Sequence, residues 1–322
     1  LFPNAYILVG GNTSTTMYKN ILNDSPFIDA VCYGEGERPL KELLDATDKR
    51  EFLNNHSSWV THKNIKDNVS SFKHDFIDEL DEIPFLDYDM LDVEGYKINP
   101  TAMRYSVSDT TMAKSNGGNG KILEEHSSKE TNDVGKTNLS AMPIMTSRGC
   151  PFRCTFCAAH ATHGRKMRYH SVERVVNDLK LMKEKYNING VVVQDDHFMG
   201  REGGRDRPYD VVSGIHSLNL DMSFQNALAM YALESKFLNL LKEAGVSQLV
   251  LPVESGSPRV LKEIMRKPLK INIIKEVAKN CRDAGIYTDC NIVLGMPGET
   301  KEDIDECRKS LKSLYTDWFR IF

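Results

Sequence analysis

Residues 142–322 alternate between short apolar runs and amphipathic segments, and this alternation constrains the fold more than any other feature of the sequence. An apolar run of about four to eight residues between polar or glycine residues is typical of a buried strand, whereas apolar residues three and four apart indicate a helix. Because strand and helix alternate throughout, the pattern favours a parallel sheet built from βα units. The sequence therefore predicts an α/β fold with a partial (β/α)6 barrel, whose strands cover residues 142–146, 190–194, 222–227, 247–253, 286–294 and 318–322.

Residues 1–50 alternate in the same way and predict a partial Rossmann-like α/β domain. Their two apolar runs end in Gly10-Gly11 and in Gly34-Glu35-Gly36-Glu37. Ligands of an open parallel sheet bind at the carboxyl ends of its strands, which is where both turns fall. Glycines at that edge let the backbone approach a ligand, although for Gly10 and Gly11 alone ordinary turn chemistry is the simpler interpretation.

Residues 51–141 predict a linker between the small domain and the barrel, which covers residues 142–322. Pro84 favours an extended chain in an acidic stretch of this linker. Residues 106–140 contain no Phe, Trp or Tyr and are rich in Ser, Thr, Asn, Gly and Lys. That composition predicts a flexible insertion rather than packed structure.

Three of the seven cysteines lie within eight residues, directly after the first barrel strand. Cys150, Cys154 and Cys157 have C-x3-C-x2-C spacing. Three closely spaced thiolates can hold three corners of an iron–sulfur cluster and leave one iron open to a small molecule. Zinc would need a fourth ligand, and His160 and His163 are close enough in sequence to keep that alternative open. A disulfide would leave one of the three cysteines unpaired.

Composition argues against several classes of function. The 322-residue chain has a formal net charge of −4, so no broad basic surface for nucleic acid is expected. No apolar run approaches the roughly 20 residues that span a membrane, and no signal peptide is visible. Cysteines without a secretory signal suit the reducing cytoplasm. Because Leu1 lies in a strand flank and Phe322 in an apolar run, we expect the chain to be a fragment of a longer protein.

The cysteine loop, with Phe156 before its last cysteine, resembles the signature of the radical S-adenosylmethionine (radical SAM) enzymes. The resemblance implies a 4Fe–4S cluster on Cys150, Cys154 and Cys157, whose open iron is chelated by the amino and carboxylate groups of S-adenosylmethionine. In that family, an electron from the cluster cleaves the sulfonium to a 5′-deoxyadenosyl radical. A reductant such as flavodoxin or ferredoxin is expected to supply the electron.

Asp195 and Asp196 follow a barrel strand and match the position at which this family binds the amino group of S-adenosylmethionine. From the residues alone, two adjacent carboxylates at a strand end could hold either an ammonium group or a metal ion. A solvated helix cap is a weaker interpretation, because the next predicted helix begins much later in the chain.

Two further strand ends resemble motifs that bind S-adenosylmethionine. The resemblance implies that Glu254 accepts hydrogen bonds from the ribose and that Ser255, or alternatively Ser257, binds the carboxylate. Ser257 before a proline is also an ordinary helix start. Val293 and Phe156 are expected to contact the adenine.

The order of elements in residues 1–45 resembles the second half of the cobalamin-binding domain that precedes many radical SAM cores. The resemblance implies cobalamin contacts at Gly10, Gly11, Gly34 and Glu35.

The sequence therefore predicts a cytoplasmic, cobalamin-binding radical SAM enzyme that catalyses methylation, cyclisation or another oxidative rearrangement at an unactivated carbon. Its substrate, a small or lipid-like molecule, is not identified by the sequence. A methylthiotransferase-like enzyme is one alternative, but that type carries a second cluster on three further N-terminal cysteines, and only Cys32 precedes Cys150 here. A zinc- or cluster-binding module without catalytic activity is the other.

Overall fold

The computed structural model describes residues 5–67, 69, 71–97, 140–200 and 203–322. They fall into two compact units. Unit 1 comprises the described residues within the ranges 1–84, 147–170 and 200–203, and unit 2 comprises those within 85–146, 171–199 and 204–322. Of the insertion predicted over residues 106–140, all but Ser140 lies outside the described residues.

The described elements, in chain order, alternate between strands and helices over most of their length. They are β1 (Leu8–Val9), α1 (Asn12–Asp24), β2 (Ala30–Cys32), α2 (Glu37–Asp45), α3 (Lys49–Asn55), β3 (Trp59–Thr61), α4 (His62–Lys66), α5 (Val93–Lys97), β4 (Ala141–Ile144), β5 (Ser147–Arg148), α6 (Ala159–His163), β6 (Arg168–Tyr169), α7 (Val172–Tyr186), β7 (Gly190–Val193), α8 (Arg207–Ser217), β8 (Asp221–Phe224), α9 (Ser235–Glu243), β9 (Gln248–Glu254), α10 (Ile271–Asp283), β10 (Tyr287–Ile292), α11 (Lys301–Leu311) and β11 (Trp318–Ile321).

Unit 1 contains a three-stranded sheet in the order β1–β2–β3. β1 and β2 are parallel, as the β-α-β-α pattern predicts, whereas β3 pairs with β2 in the antiparallel direction. Alternate residues of β2 face opposite sides of this sheet. Ala30 and Cys32 pack against Leu43 and Trp59 in one apolar cluster, whereas Val31 belongs to another.

Unit 2 contains the six parallel strands of the predicted barrel, arranged as the sheets β4–β7–β8 and β9–β10–β11. Their helices pack one apolar face onto the strands, as α7 does with Val175, Leu179 and Met182. Because side chains alternate along a strand, Val191 and Val193 meet this core. The predicted α/β fold with a partial (β/α)6 barrel is confirmed.

The helix start predicted at Ser257 leads into a π-helical turn, Val260–Ile264, in which the Met265 N–H donates to the Val260 carbonyl at 2.8 Å. Among the described helices, none is both long enough and apolar enough to cross a lipid bilayer.

Candidate active site

The cysteine loop of unit 1, residues 149–167, connects β5 and β6, which pair antiparallel with Ser147 opposite Tyr169 and Arg148 opposite Arg168. Inside the loop, the Cys150 N–H donates to the Gly164 carbonyl at 3.2 Å. The Cys157 N–H donates to the Cys154 carbonyl at 3.3 Å, which closes a tight turn between two of the thiols.

Two glycines allow the loop to fold back on itself. Gly149 has φ +96°, and a Cβ there would lie 2.4 Å from the carbonyl oxygen of Lys166. Gly164 has φ +73°, and its Cβ would lie 2.7 Å from the Phe76 ring. Any other residue would meet both a left-handed backbone conformation and a steric clash at these positions.

The donor set of this loop fits an iron–sulfur cluster. Cys150 and Cys154 are half-buried, Cys157 is exposed, and none of the three is in a disulfide, so a small molecule could reach a metal centre held by them. A single zinc ion would need its ligand atoms a few ångströms apart. Among the described residues, Glu42, His56 and Asp75 have potential ligand atoms this close to one another. That group includes neither these cysteines nor His160 and His163.

A set of buried and half-buried charges holds the two strands that flank the cysteine loop. Arg168 donates to both carboxylate oxygens of Glu35, with Nη1 at 2.8 Å from Oε2, and Arg148 Nη1 lies 3.1 Å from the same Oε2. Arg148 Nη2 also lies 2.7 Å from Glu37 Oε1. Burial alone would raise the pKa of Glu37, but the hydrogen bond and charge of Arg148 outweigh it and lower this pKa. Glu35 thus binds two guanidinium groups in this structure.

The glycine turns predicted to contact cobalamin lie together at the carboxyl edge of β1 and β2. Thr15 joins them, because its hydroxyl donates to the Gly11 carbonyl at 2.9 Å and accepts the Gly34 N–H at 3.0 Å. Gly10 is held nearby through its carbonyl, which accepts from the Ser14 hydroxyl at 2.9 Å. We name Gly10, Gly11 and Gly34 the glycine edge.

In unit 2, the two adjacent carboxylates after β7 differ in their environment. Asp195 is buried and accepts the Thr146 N–H and the Thr146 hydroxyl, each at 2.6 Å, so its two oxygens tie the end of β7 to the segment after β4. Asp196 is half-buried. The Asn226 amide supports the same strand end, donating to the carbonyls of Gln194 and Asp195 at 3.0 Å.

His197, the next residue, is buried and its Nε2 lies 2.9 Å from the Tyr231 hydroxyl. Burial lowers the pKa of His197 to about 4, because the surroundings disfavour the charged imidazolium. The imidazole is therefore neutral at physiological pH.

Glu254 ends β9 with a backbone conformation that is uncommon outside glycine, φ +62°. Its carboxylate is buried, with Oε1 3.3 Å from Lys267 Nζ. Burial raises the pKa of Glu254 against the opposing effect of Lys267. The Val293 N–H donates to the Glu254 carbonyl at 2.8 Å, so the structure brings these two predicted contacts together. Strain of this kind clusters at functional sites.

The serines after Glu254 form part of the turn itself. Ser255 is fully buried and its hydroxyl accepts the Ser257 N–H at 3.1 Å. The Ser257 hydroxyl donates to Glu306 at 2.7 Å and to Asp303 at 3.2 Å. Glu299 caps the turn after β10, accepting the Gly295 N–H at 2.6 Å.

The family model of the Radical SAM superfamily matches residues 144–311, more than half of the chain. The chain belongs to the radical SAM superfamily. The predictions of this family, and of a 4Fe–4S cluster and S-adenosylmethionine as its cofactors, are confirmed.

Two relatives align with almost the whole of this radical SAM protein. An uncharacterized methyltransferase of Pyrococcus horikoshii is 28% identical over 315 residues, which cover 98% of this chain and 59% of the relative. The anaerobic magnesium-protoporphyrin IX monomethyl ester cyclase of Cereibacter sphaeroides is 22% identical over 343 residues, which cover 98% of this chain and 47% of the cyclase.

The fold is shared with the radical S-adenosylmethionine methyltransferase TsrM of Kitasatospora setae, solved with its tryptophan substrate and a SAM analog. The TM-score is 0.69 at 17% identity, with 99% of this chain and 55% of TsrM covered. TsrM has also been solved with cobalamin and a [4Fe-4S] cluster bound. The chain spans about half the length of the proteins it matches.

Within this radical SAM fold, the cysteine loop and the exposed Phe156 belong to unit 1, and the strand-end residues belong to unit 2. The assignment of single residues to S-adenosylmethionine and cobalamin remains a prediction. Four residues near the site were not predicted from the sequence, namely Thr146, Asn226, Arg148 and Arg168. For Asn226, a signal was available, since it is a polar residue near the end of the strand predicted over residues 222–227. Nothing in the sequence pairs Arg168 with Glu35, 133 residues away.

Proposed function

We propose that this protein generates a 5′-deoxyadenosyl radical from S-adenosylmethionine and uses it, together with cobalamin, to methylate an unactivated carbon. The observation that carries this proposal is the cysteine loop, which places Cys150, Cys154 and Cys157, none of them in a disulfide, within eight residues. A reduced cluster held by Cys150, Cys154 and Cys157 would supply the electron that splits the sulfonium of S-adenosylmethionine, and bound methylcobalamin would supply the methyl group. A reductant such as flavodoxin or ferredoxin provides the electron in turn.

In unit 2, Asp196 is the better candidate of the two carboxylates for the amino group of S-adenosylmethionine. Both oxygens of Asp195 already accept hydrogen bonds from Thr146, whereas Asp196 is half-exposed at the same strand end. A carboxylate that accepts from an ammonium group forms a charge-assisted hydrogen bond, which is about twice as strong as a neutral one.

Glu254 and Val293 are proposed to hold the ribose and the adenine. Two features support Glu254, namely its strained backbone at a strand end and its pairing with Lys267 inside the fold. When ionised, the Glu254 carboxylate accepts hydrogen bonds from the vicinal hydroxyls of a ribose. The positive charge of Lys267 favours this ionised form, which burial disfavours. Val293 offers an apolar surface beside it. Ser255 is a weaker candidate for the carboxylate, because its hydroxyl is buried in the turn.

The glycine edge is proposed as the cobalamin-binding edge of unit 1. It lies at the carboxyl ends of parallel strands, where α/β sheets bind their ligands, and Gly10 and Gly11 are exposed there. Cys32 beside it is buried, and burial raises its pKa to about 11, so its thiol is a poor metal ligand. That disfavours a second cluster on this residue and with it the methylthiotransferase-like alternative.

Methylation is the proposed outcome because the aligned relatives and the structural neighbour include methyltransferases. Cyclisation is the second candidate, since a cyclase also aligns with 98% of the chain. The substrate is proposed only as a small or lipid-like molecule with an unactivated C–H bond.

The test is anaerobic reconstitution with iron and sulfide, followed by reduction in the presence of S-adenosylmethionine. We expect 5′-deoxyadenosine to form, and Cys154→Ala to abolish it. Cys281→Ala is the matched control, because this cysteine is buried in the core of unit 2 and should leave the reaction intact. A colourless protein that binds stoichiometric zinc and leaves S-adenosylmethionine uncleaved would overturn the proposal.

A further inference from the structure

The two arginines that flank the cysteine loop form an unusual pair. Arg148 and Arg168 lie directly opposite each other on β5 and β6, where like charges repel. Glu35 lies between them and contacts both, and Glu37 binds Arg148 as well, so two carboxylates balance two guanidinium groups. Arg168 and Glu35 are almost fully buried, with 3% and 5% of their surface exposed. Buried charges persist only when paired in this way.

Arg168 also binds the cysteine loop and the chain that packs on it. Its guanidinium donates to the His163 carbonyl, at the end of α6, at 3.1 Å. It donates to the Ile77 carbonyl at 2.9 Å and lies over the Phe76 ring at 4.4 Å from the centroid. Because a Cβ on Gly164 would lie 2.7 Å from Phe76, this ring is in close contact with the loop.

A column of stacked rings runs from this ring back to the glycine edge. Phe76 stacks on His74 with centroids 4.7 Å apart, and His74 stacks on Tyr33 with centroids 4.9 Å apart. Tyr33 directly precedes Gly34, and Glu35 directly follows it. The turn after β2 therefore contacts the cysteine loop by two routes, one through charges and one through aromatic stacking.

From this geometry we propose that Glu35 is a positioning residue for the cysteine loop, acting through Arg148 and Arg168, rather than a contact of cobalamin. We name these three residues the Glu35 clamp. The clamp fixes the ends of the loop to the turn at the glycine edge, and so fixes the backbone that presents the three thiols. The inference rests on the proposed function only in taking these thiols as cluster ligands.

The first test is hydrogen exchange of residues 149–167 in the metal-free protein, with Glu35→Gln as the variant. Loss of one charge-assisted hydrogen bond should raise the equilibrium constant for local opening of the loop at least about tenfold. Because amide hydrogens exchange from the open form, their exchange rates in the loop should rise by the same factor. Asp78→Asn is the matched control. Asp78 pairs with Lys166 of the same loop at 2.8 Å, but both side chains are exposed, and exchange should not change.

A second variant separates positioning from stability. Glu35→Gln alone leaves a buried positive charge, whereas the double variant Glu35→Gln/Arg168→Met removes one charge of each sign. Replacing a buried ion pair by apolar groups is often neutral for stability. We expect the double variant to unfold at the wild-type urea midpoint while its loop still exchanges at least about tenfold faster. After reconstitution, the EPR spectrum of its reduced cluster with S-adenosylmethionine should differ from that of Asp78→Asn.

The results separate this inference from the proposed function. If the double variant matches Asp78→Asn in loop exchange and in EPR spectrum, Glu35 does not position the cysteine loop. The proposed binding of a cluster by the three cysteines is not affected by that result. If wild-type protein binds zinc instead of a cluster, the proposed function fails, and the exchange data of the metal-free protein still decide the role of the clamp. Should Glu35→Gln not fold, the double variant alone gives the answer.

Discussion

Asp195 and Asp196 are adjacent in sequence, but we expect substitution of Asp195 to lower stability and substitution of Asp196 to weaken S-adenosylmethionine binding. Asp195 accepts two hydrogen bonds from Thr146, which is itself fully buried. Hydrogen bonds to a charged group contribute about 1.5–3 kcal/mol each, and contributions that share one side chain do not add fully. Asp195→Ala should therefore lower the free energy of unfolding by about 3 kcal/mol. Asp195→Asn keeps an acceptor for the Thr146 N–H and should cost about 1 kcal/mol.

Asp196→Ala should leave the stability within about 1 kcal/mol of wild type, because the side chain is half-exposed. It should weaken S-adenosylmethionine binding at least about tenfold, the loss expected for one charge-assisted hydrogen bond. Anaerobic urea denaturation of the metal-free variants measures the first effect, and equilibrium dialysis with the reconstituted protein measures the second. Equal destabilisation by both alanine variants, or wild-type binding by Asp196→Ala, would refute the distinction between the two carboxylates.

Two further substitutions test other parts of the site. Burial lowers the pKa of His197 from 6.5 to about 4. As the pH falls from 6.5 to 4, this histidine therefore takes up a proton in the unfolded chain but not in the folded one. At about 1.4 kcal/mol per pKa unit, the free energy of unfolding should fall by about 3 kcal/mol over this range. His197→Gln should lose less stability over that range in urea titrations, and a slope equal to that of wild type would contradict this. Gly164→Ala introduces a Cβ 2.7 Å from Phe76 at a positive φ, so the loop should be distorted and iron loading after reconstitution should fall. Gly204→Ala is its control, because its φ of +96° is similarly positive but no atom lies within 4 Å of its Cβ, and unchanged loading in both would refute the steric argument.

The barrel could be predicted from the sequence because its strands and helices are long enough for their apolar periods to be distinct. The spacing of Cys150, Cys154 and Cys157 likewise restricts the metal chemistry without any tertiary information. By contrast, β5 and β6 have two residues each, and no periodicity can be read from two residues.

The environment of single side chains at the site was less predictable. Asp195 and Asp196 are chemically alike, but successive side chains at a strand end point to opposite faces, and the sequence does not say which one meets Thr146. Glu35 was predicted to contact cobalamin because residues 1–45 resemble part of a cobalamin-binding domain. Its binding to Arg148 and Arg168 depends on how the cysteine loop packs in unit 1, which no local pattern specifies.

The central claim is that the cysteine loop holds a 4Fe–4S cluster with one iron that the protein leaves open. Mössbauer spectroscopy of the protein, reconstituted with isotopically enriched iron, tests this most directly. On addition of S-adenosylmethionine, one iron of the four should acquire distinct parameters while the three bound to Cys150, Cys154 and Cys157 keep theirs. A cluster whose spectrum S-adenosylmethionine leaves unchanged, or a site that takes up zinc instead of iron, would contradict the account.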